Sequence, residues 1–123
     1  MALTNNEKVL RGFDQLLEGV RPWVDMRMSA QAPAGKDWVE LIAAEDSVKF
    51  GTSKTYSRDD VRFLLRVVTE KWKVFEKDLS RPQSALASEL RETANAVHHG
   101  QKFSSDDTYR ALDTIERLLT VIG

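Results

Sequence analysis

Arg91, Asn95, His98 and His99 fall within one short run, Glu89-Leu90-Arg91-Glu92-Thr93-Ala94-Asn95-Ala96-Val97-His98-His99-Gly100. Imidazole exchanges protons near neutral pH, so either histidine can serve as general base or acid. Asparagine can hold a phosphate oxygen or orient the ring, and arginine can bind the phosphate itself. On a helix turning about 100° per residue, with Arg91 at zero, Asn95 falls near 40°, His98 near 340° and His99 near 80°. Leu86, Leu90 and Val97 collect on the other side, at about 220–260°, and mark the apolar face. Asn95 and His99 are therefore expected one turn apart, facing away from the core. Arg91 and His98 are about 20° apart around the axis but about 10 Å apart along it, so both reach one phosphate only through the long Arg side chain or across a dimer. The plainest reading of two histidines at a helix C-terminus is a solvated pair favoured by the helix dipole.

Composition narrows the alternatives. The 123 residues contain no Cys and 2 His, which removes disulfides, thiolate zinc and iron–sulfur sites, and cysteine nucleophiles, and leaves little for a His-rich metal site. No Gly-rich phosphate loop, HExxH, GxSxG or distinctively spaced carboxylate pair occurs, so no metal or cofactor is expected. With 18 Lys and Arg against 19 Asp and Glu the net charge is −1, so there is no global attraction to nucleic acid and any basic footprint is local. Only residues 58–81 lean basic, by 7 to 5. Arg58, Arg62, Arg66, Lys71, Lys73 and Lys77 could form an RNA-facing strip there, but the interspersed Asp59, Asp60, Glu70 and Glu76 read as an ordinary solvated face. No membrane-spanning run or signal peptide is present, and a cytoplasmic, soluble domain is expected.

The elements that must position these residues are all helical. Thr4-Asn5-Asn6-Glu7 has capping-box spacing, and Val9, Leu10, Phe13, Leu16, Leu17 and Val20 follow as an apolar stripe. Gly19 and Pro22 are expected to end that helix, with a short second helix over about 21–28. Ala32 to Gly35 reads as a loop, Asp37 as the cap of a third short helix, and Gly51 to Ser57 as a polar connector. Val61, Leu64, Leu65, Val68, Trp72, Phe75 and Leu79 trace one near-heptad seam, predicting a continuous helix of about twenty residues. Trp72 and Phe75, and likewise Trp23 and Trp38, read as core or packing residues rather than base-stacking ones. Arg81-Pro82 is expected to break the long helix, Gln83 to His99 to form the next with Gly100 at C′, and a final helix to follow Ser104-Ser105 with Leu112, Ile115, Leu119 and Ile122 inward. The expected fold is a single-domain all-α bundle of about five to six helices over residues 1–123, with 1–57 as N-terminal helices and connector and 58–123 as core helices.

From Asp60 to Gly123 the sequence resembles the HEPN superfamily. It is most similar to the branch that accompanies the PIN nuclease of a yeast transcript-surveillance endoribonuclease and stands at the N-terminus of bacterial multidomain proteins of the phage-defence type. The resemblance rests on Trp72-Lys73-Val74-Phe75, Ser88-Glu89-Leu90-Arg91, Asn95 and His99, and most specifically on Phe103-Ser104-Ser105-Asp106-Asp107-Thr108-Tyr109-Arg110-Ala111-Leu112-Asp113-Thr114-Ile115-Glu116-Arg117-Leu118-Leu119. Leu3-Thr4-Asn5 and Pro22-Trp23-Val24 fit the same branch.

The resemblance implies a homodimer paired through the face carrying an R-N-x-x-x-H motif, where a composite site cleaves RNA without metal. Asn95 and His99 occupy the Asn and His positions, and Ala94 occupies the Arg position. Loss of a preorganised cation at the scissile phosphate commonly costs about 10²- to 10³-fold in rate. Arg91 and His98 satisfy the looser R-x6-H spacing of other HEPN branches, although Arg91 reads first as a partner of Glu92 or of the acidic last helix. The expectation is a helical dimerisation and RNA- or nucleotide-binding module with a degraded motif, continuing into an effector domain of a defence or nucleic-acid-processing protein. The competing expectation is an active metal-independent endoribonuclease using His99 or His98, Asn95 and Arg91.

Overall fold

A computed structural model describes residues 2–123, so position 1 of the expected domain span lies outside the described residues. Six helices follow one another with no strand among the described residues: α1 (Asn5–Gln31), α2 (Trp38–Phe50), α3 (Val61–Glu70), α4 (Trp72–Phe75), α5 (Arg81–His98) and α6 (Ser105–Ile122). The all-α bundle expected from the hydrophobic periodicity is the observed fold.

Local chemistry explains most of the boundaries. Thr4 and Glu7 form the capping box of α1, Asp37 caps α2 and Asp60 caps α3. Ser80 with Gln83, and Ser104 with Asp107, form two more capping boxes on α5 and α6. Pro82 sits in the first turn of α5, so that helix begins at Arg81 rather than after the proline. At its other end Gly100 adopts φ 79°, donating to the Val97 carbonyl, while Gln101 donates to that of Ala96, which completes a Schellman motif.

Two expectations are corrected. First, α1 runs unbroken through Gly19 and Pro22 for 27 residues. Proline deprives the Glu18 carbonyl of its donor, at about 3 kcal/mol in a helix interior. Glu18 and Pro22 are both exposed, so the unpaired carbonyl lies on the solvent side of the helix, while Val24 and Met28 on the following turns are buried, each stabilising by about 1.5–3 kcal/mol. Gly19 is a packing position: a Cβ there would lie 2.4 Å from Leu119 Cδ2, and one on Gly12 would lie 2.7 Å from Leu112 Cδ2. Seven residues separate the two glycines and seven separate the two leucines, so α6 lies in a shallow groove on α1.

Second, the long fourth helix is two helices. Lys71, at φ −100° and ψ 47°, interrupts it, and α4 turns back onto α1. The turn buries Phe75 completely against Trp23, with ring centroids 4.9 Å apart, and buries Leu79. It also brings the Asp78 carboxylate to Trp23 Nε1 at 2.8 Å and to Arg27 at 2.6 and 2.8 Å. A straight helix would carry these groups away from α1.

The core draws on both halves of the chain: Val9, Phe13, Leu16, Val20, Trp23 and Val24 of α1 pack with residues of α3, α5 and α6. The inward residues of α6 are Thr108, Ala111, Thr114, Ile115 and Leu118; Leu112 is partly exposed and Leu119 flanks the core on Gly19. Within α5 the buried residues are Ala87, Leu90 and Ala94, with Leu86 and Val97 at the margin.

Candidate functional site

The C-terminal two turns of α5 carry Arg91, Asn95 and His98, and His99 is the helix C-cap. Asn95, His98 and His99 are exposed, and the His99 N–H donates to the Asn95 carbonyl at 3.0 Å, so their side chains stand one turn apart on the outer surface. The two imidazoles meet edge to face with centroids 5.4 Å apart. Ala94 points the other way: it is 2% exposed and packs in the core.

Arg91 is half-buried and reaches sideways to α3, donating to Thr69 Oγ1 at 3.0 Å and to Glu70 Oε2 at 3.4 Å. Its partner is therefore on α3, rather than Glu92 or the last helix. The physical reason is the packing of α3 along α5, which sets Thr69 and Glu70 beside Arg91.

Asn95 and Arg91 share an open depression of about 210 Å³ with Tyr56, Asp60, Arg62, Phe63 and Arg66. Tyr56 enters it from the 51–59 connector. Its ring stacks on Phe63 at 4.7 Å, and Phe63 stacks on Trp38 at 5.9 Å. Its hydroxyl donates to Asp46 Oδ2 at 2.5 Å, and Arg66 clamps the same carboxylate through both terminal nitrogens at 2.8 and 2.7 Å. These bonds, Arg66 first and Tyr56 second, lower the Asp46 carboxyl from 3.8 to about 2, and the same carboxylate raises the Tyr56 phenol and the Arg66 guanidinium. Arg58 closes the connector's other end, pairing with Asp25 at 3.0 Å and with Asp37, its guanidinium over the Trp38 ring.

Half of the basic strip considered for residues 58–77 is neutralised by such contacts, while Arg62, Lys73 and Lys77 have no ion pair among the described residues. Arg58 and Arg66 are engaged as above, Arg66 also with Glu70, and Lys71 with Glu45 at 2.8 Å. Trp72 is half-buried beneath the Arg81 guanidinium, while Trp23, Trp38 and Phe75 belong to the core.

Sequence reasoning missed two supports of the site. Asn5 donates to the Phe103 carbonyl at 3.0 Å, and Asn6 donates to the Gln101 carbonyl at 2.8 Å while accepting from the Phe103 N–H at 3.0 Å. They fasten the α5–α6 loop, and with it the histidine end of α5, to the start of α1. Nothing local signals this, because the partners lie more than ninety residues apart. A larger groove of about 480 Å³, lined by Pro82, Leu86, Asp113 and Arg117 among others, lies at the other end of α5 and contains none of the motif residues. Among the described residues no cluster of His, Cys, Asp and Glu could hold a metal ion, and no helix is long and apolar enough to cross a membrane.

An all-α bundle that presents an Asn-x-x-x-His pair at the exposed end of a penultimate helix defines a class of small helical domains. Comparison with protein families sharpens that class: the Swt1-like HEPN family matches residues 11–123, and the chain belongs to it. No curated protein and no solved structure matches the chain.

Proposed function

We propose that this chain is a homodimerising HEPN module that binds RNA or a nucleotide through the outer face of α5, with its R-N-x-x-x-H motif degraded. One observation carries the reading. Asn95 and His99 stand on the open surface, whereas Ala94, at the motif's Arg position, is a buried methyl group that supplies no cation to that surface. Asn95 and His99 can donate hydrogen bonds to a phosphate oxygen, and Arg91, held by Thr69 and Glu70, flanks Asn95. Stabilising the dianionic charge of a cleaving phosphodiester would require the missing arginine.

The module serves the PIN-associated or bacterial multidomain branch of the family, acting in the cytoplasm ahead of an effector domain in a defence or nucleic-acid-processing system.

The test is RNA incubation with the purified protein in EDTA, alongside light scattering at micromolar concentration. The expected results are a dimer, RNA binding and no cleavage. A monomer would remove the composite face. A second reading is favoured by the shared exposure of Asn95, His98 and His99 at one helix end: a metal-independent endoribonuclease in which His99 or His98 moves the 2′-hydroxyl proton while Asn95 and Arg91 hold phosphate across the dimer. Cleavage in EDTA that disappears in both His99→Ala and Asn95→Ala would establish that reading in place of the first.

A further inference from the structure

Five arginines in this molecule are half-buried: Arg27, Arg58, Arg62, Arg66 and Arg91. Four of them face carboxylates: Arg27 on Asp78, Arg58 on Asp25 and Asp37, Arg66 on Asp46 and Glu70, and Arg91 on Glu70. Arg62 is the exception. Among the described residues its guanidinium has no ion pair, no side-chain hydrogen bond and no aromatic ring beneath it; only its backbone N–H is engaged, by the Asp60 carboxylate at 3.0 Å. That contact caps α3 through Asp60 Oδ1; the Asp60 carboxylate also lines the depression that Arg62 and Asn95 share, without an ion pair to Arg62.

A guanidinium that has lost part of its hydration presents five donors in a planar fork, and the partner that matches the fork is an oxyanion taken up through two parallel bonds. Arg62 lines the same depression as Asn95, entering from the first turn of α3 while Asn95 enters from α5. The Asn95 amide also makes no side-chain hydrogen bond among the described residues. Two sets of unengaged donors thus converge on one open notch, flanked by the engaged Arg66 and Arg91.

We infer that Arg62 is the phosphate-binding cation of the Asn95 face, acting with the Asn95 amide. The inference rests on the nucleic-acid reading proposed above and names the group that would carry it. The bound anion is a phosphate, either a phosphodiester of single-stranded RNA or the phosphate of a free nucleotide. Arg62 was placed by sequence alone on an ordinary solvated face; what separates it from its neighbours is that the tertiary structure gives each of the other half-buried arginines a carboxylate.

The test is fluorescence anisotropy of a labelled decauridylate RNA with the wild-type chain and with Arg62→Gln, Arg62→Lys, Asn95→Ala and Arg91→Gln, at two salt concentrations. Arg62→Gln should weaken binding about tenfold or more and reduce the salt slope by about 0.7, the value for one phosphate contact on a single strand. Arg62→Lys should recover the slope and part of the affinity, and Arg91→Gln should change both less than Arg62→Gln does. Unlabelled uridine 5′-monophosphate separates the sources: displacement that depends on Arg62 assigns the notch to free nucleotide, and failure to displace assigns it to the polymer backbone. Wild-type binding that Arg62→Gln leaves unchanged in affinity and slope overturns the role of Arg62 and leaves the RNA-binding reading intact. No wild-type binding to either probe overturns both. Arg62→Gln should melt close to the wild type, since no side-chain hydrogen bond or ion pair is lost; if it does not, the Arg62→Lys slope decides.

Discussion

The α1–α6 seam and the layer formed by α2 and the 51–59 connector are held to the rest of the molecule by different physics. Along the seam, Gly12 and Gly19 admit Leu112 and Leu119 so closely that an added Cβ would force the leucine side chains to move, and the core cluster behind them is apolar. In the connector layer, Asp46 is buried with Arg66 and Tyr56, while Arg58 ties Asp25 to Asp37 over the face of Trp38. The seam depends on shape and responds to volume. The connector layer depends on charge and responds to pH. The Asn95 depression belongs to the connector's side of the molecule: Tyr56 of the connector lines it with residues of α3 and α5, and no residue of the seam does.

Removing volume behind the seam should have the largest effect. Leu16 is fully buried on α1, and Leu16→Ala should destabilise by about 2–5 kcal/mol in urea unfolding, with little dependence on pH. A loss that varied strongly between pH 3 and 7 would break the distinction between the two regions. Adding volume sharpens the same point: Gly19→Val should cost about 1–3 kcal/mol, and Leu119→Ala in the same chain should recover part of it.

Acid should act on the other region. Because the Asp46 carboxyl is lowered to about 2, its contribution is present above the unfolded value of 3.8 and is lost as pH falls through about 2. The nearly two-unit difference corresponds to about 2 kcal/mol. Asp46→Asn should therefore lower stability by about that amount at pH 7 and flatten the acid limb of a melting-temperature profile between about pH 4 and 2. An acid limb of unchanged steepness would show that other carboxylates govern it.

Tyr56→Phe keeps the stack on Phe63 and removes one hydrogen bond to Asp46, so a loss of about 1 kcal/mol is expected by thermal melting. The smallest effect belongs to Arg91→Gln. Its contact with Glu70 is long and solvated and its one short bond is to Thr69, so stability should change by less than about 1 kcal/mol. A larger loss would make Arg91 a structural strut of α3 on α5.

Comparing these regions also shows where the sequence was legible. Caps at Thr4, Asp37 and Ser104, the Gly100 stop and the outward angle of Asn95 and His99 all depend on residues within about five positions, and all are observed. The continuity of α1 through Pro22 was not legible, because proline's local cost is offset by buried residues that only the packed molecule supplies. The break at Lys71 carries neither Gly nor Pro; it arises because Phe75, Asp78 and Leu79 find partners on α1.

The sequence by itself determined an all-helical, cysteine-free chain with an Asn-x-x-x-His pair on the outer face of its penultimate helix, since helical periodicity and capping are short-range. Tertiary structure alone decided that Ala94 lies in the core, that Arg91 turns to α3, and that Arg62 is left without an ion pair beside Asn95. Those outcomes depend on which carboxylates and apolar groups from distant segments come within bonding distance, and that is fixed only when the helices pack.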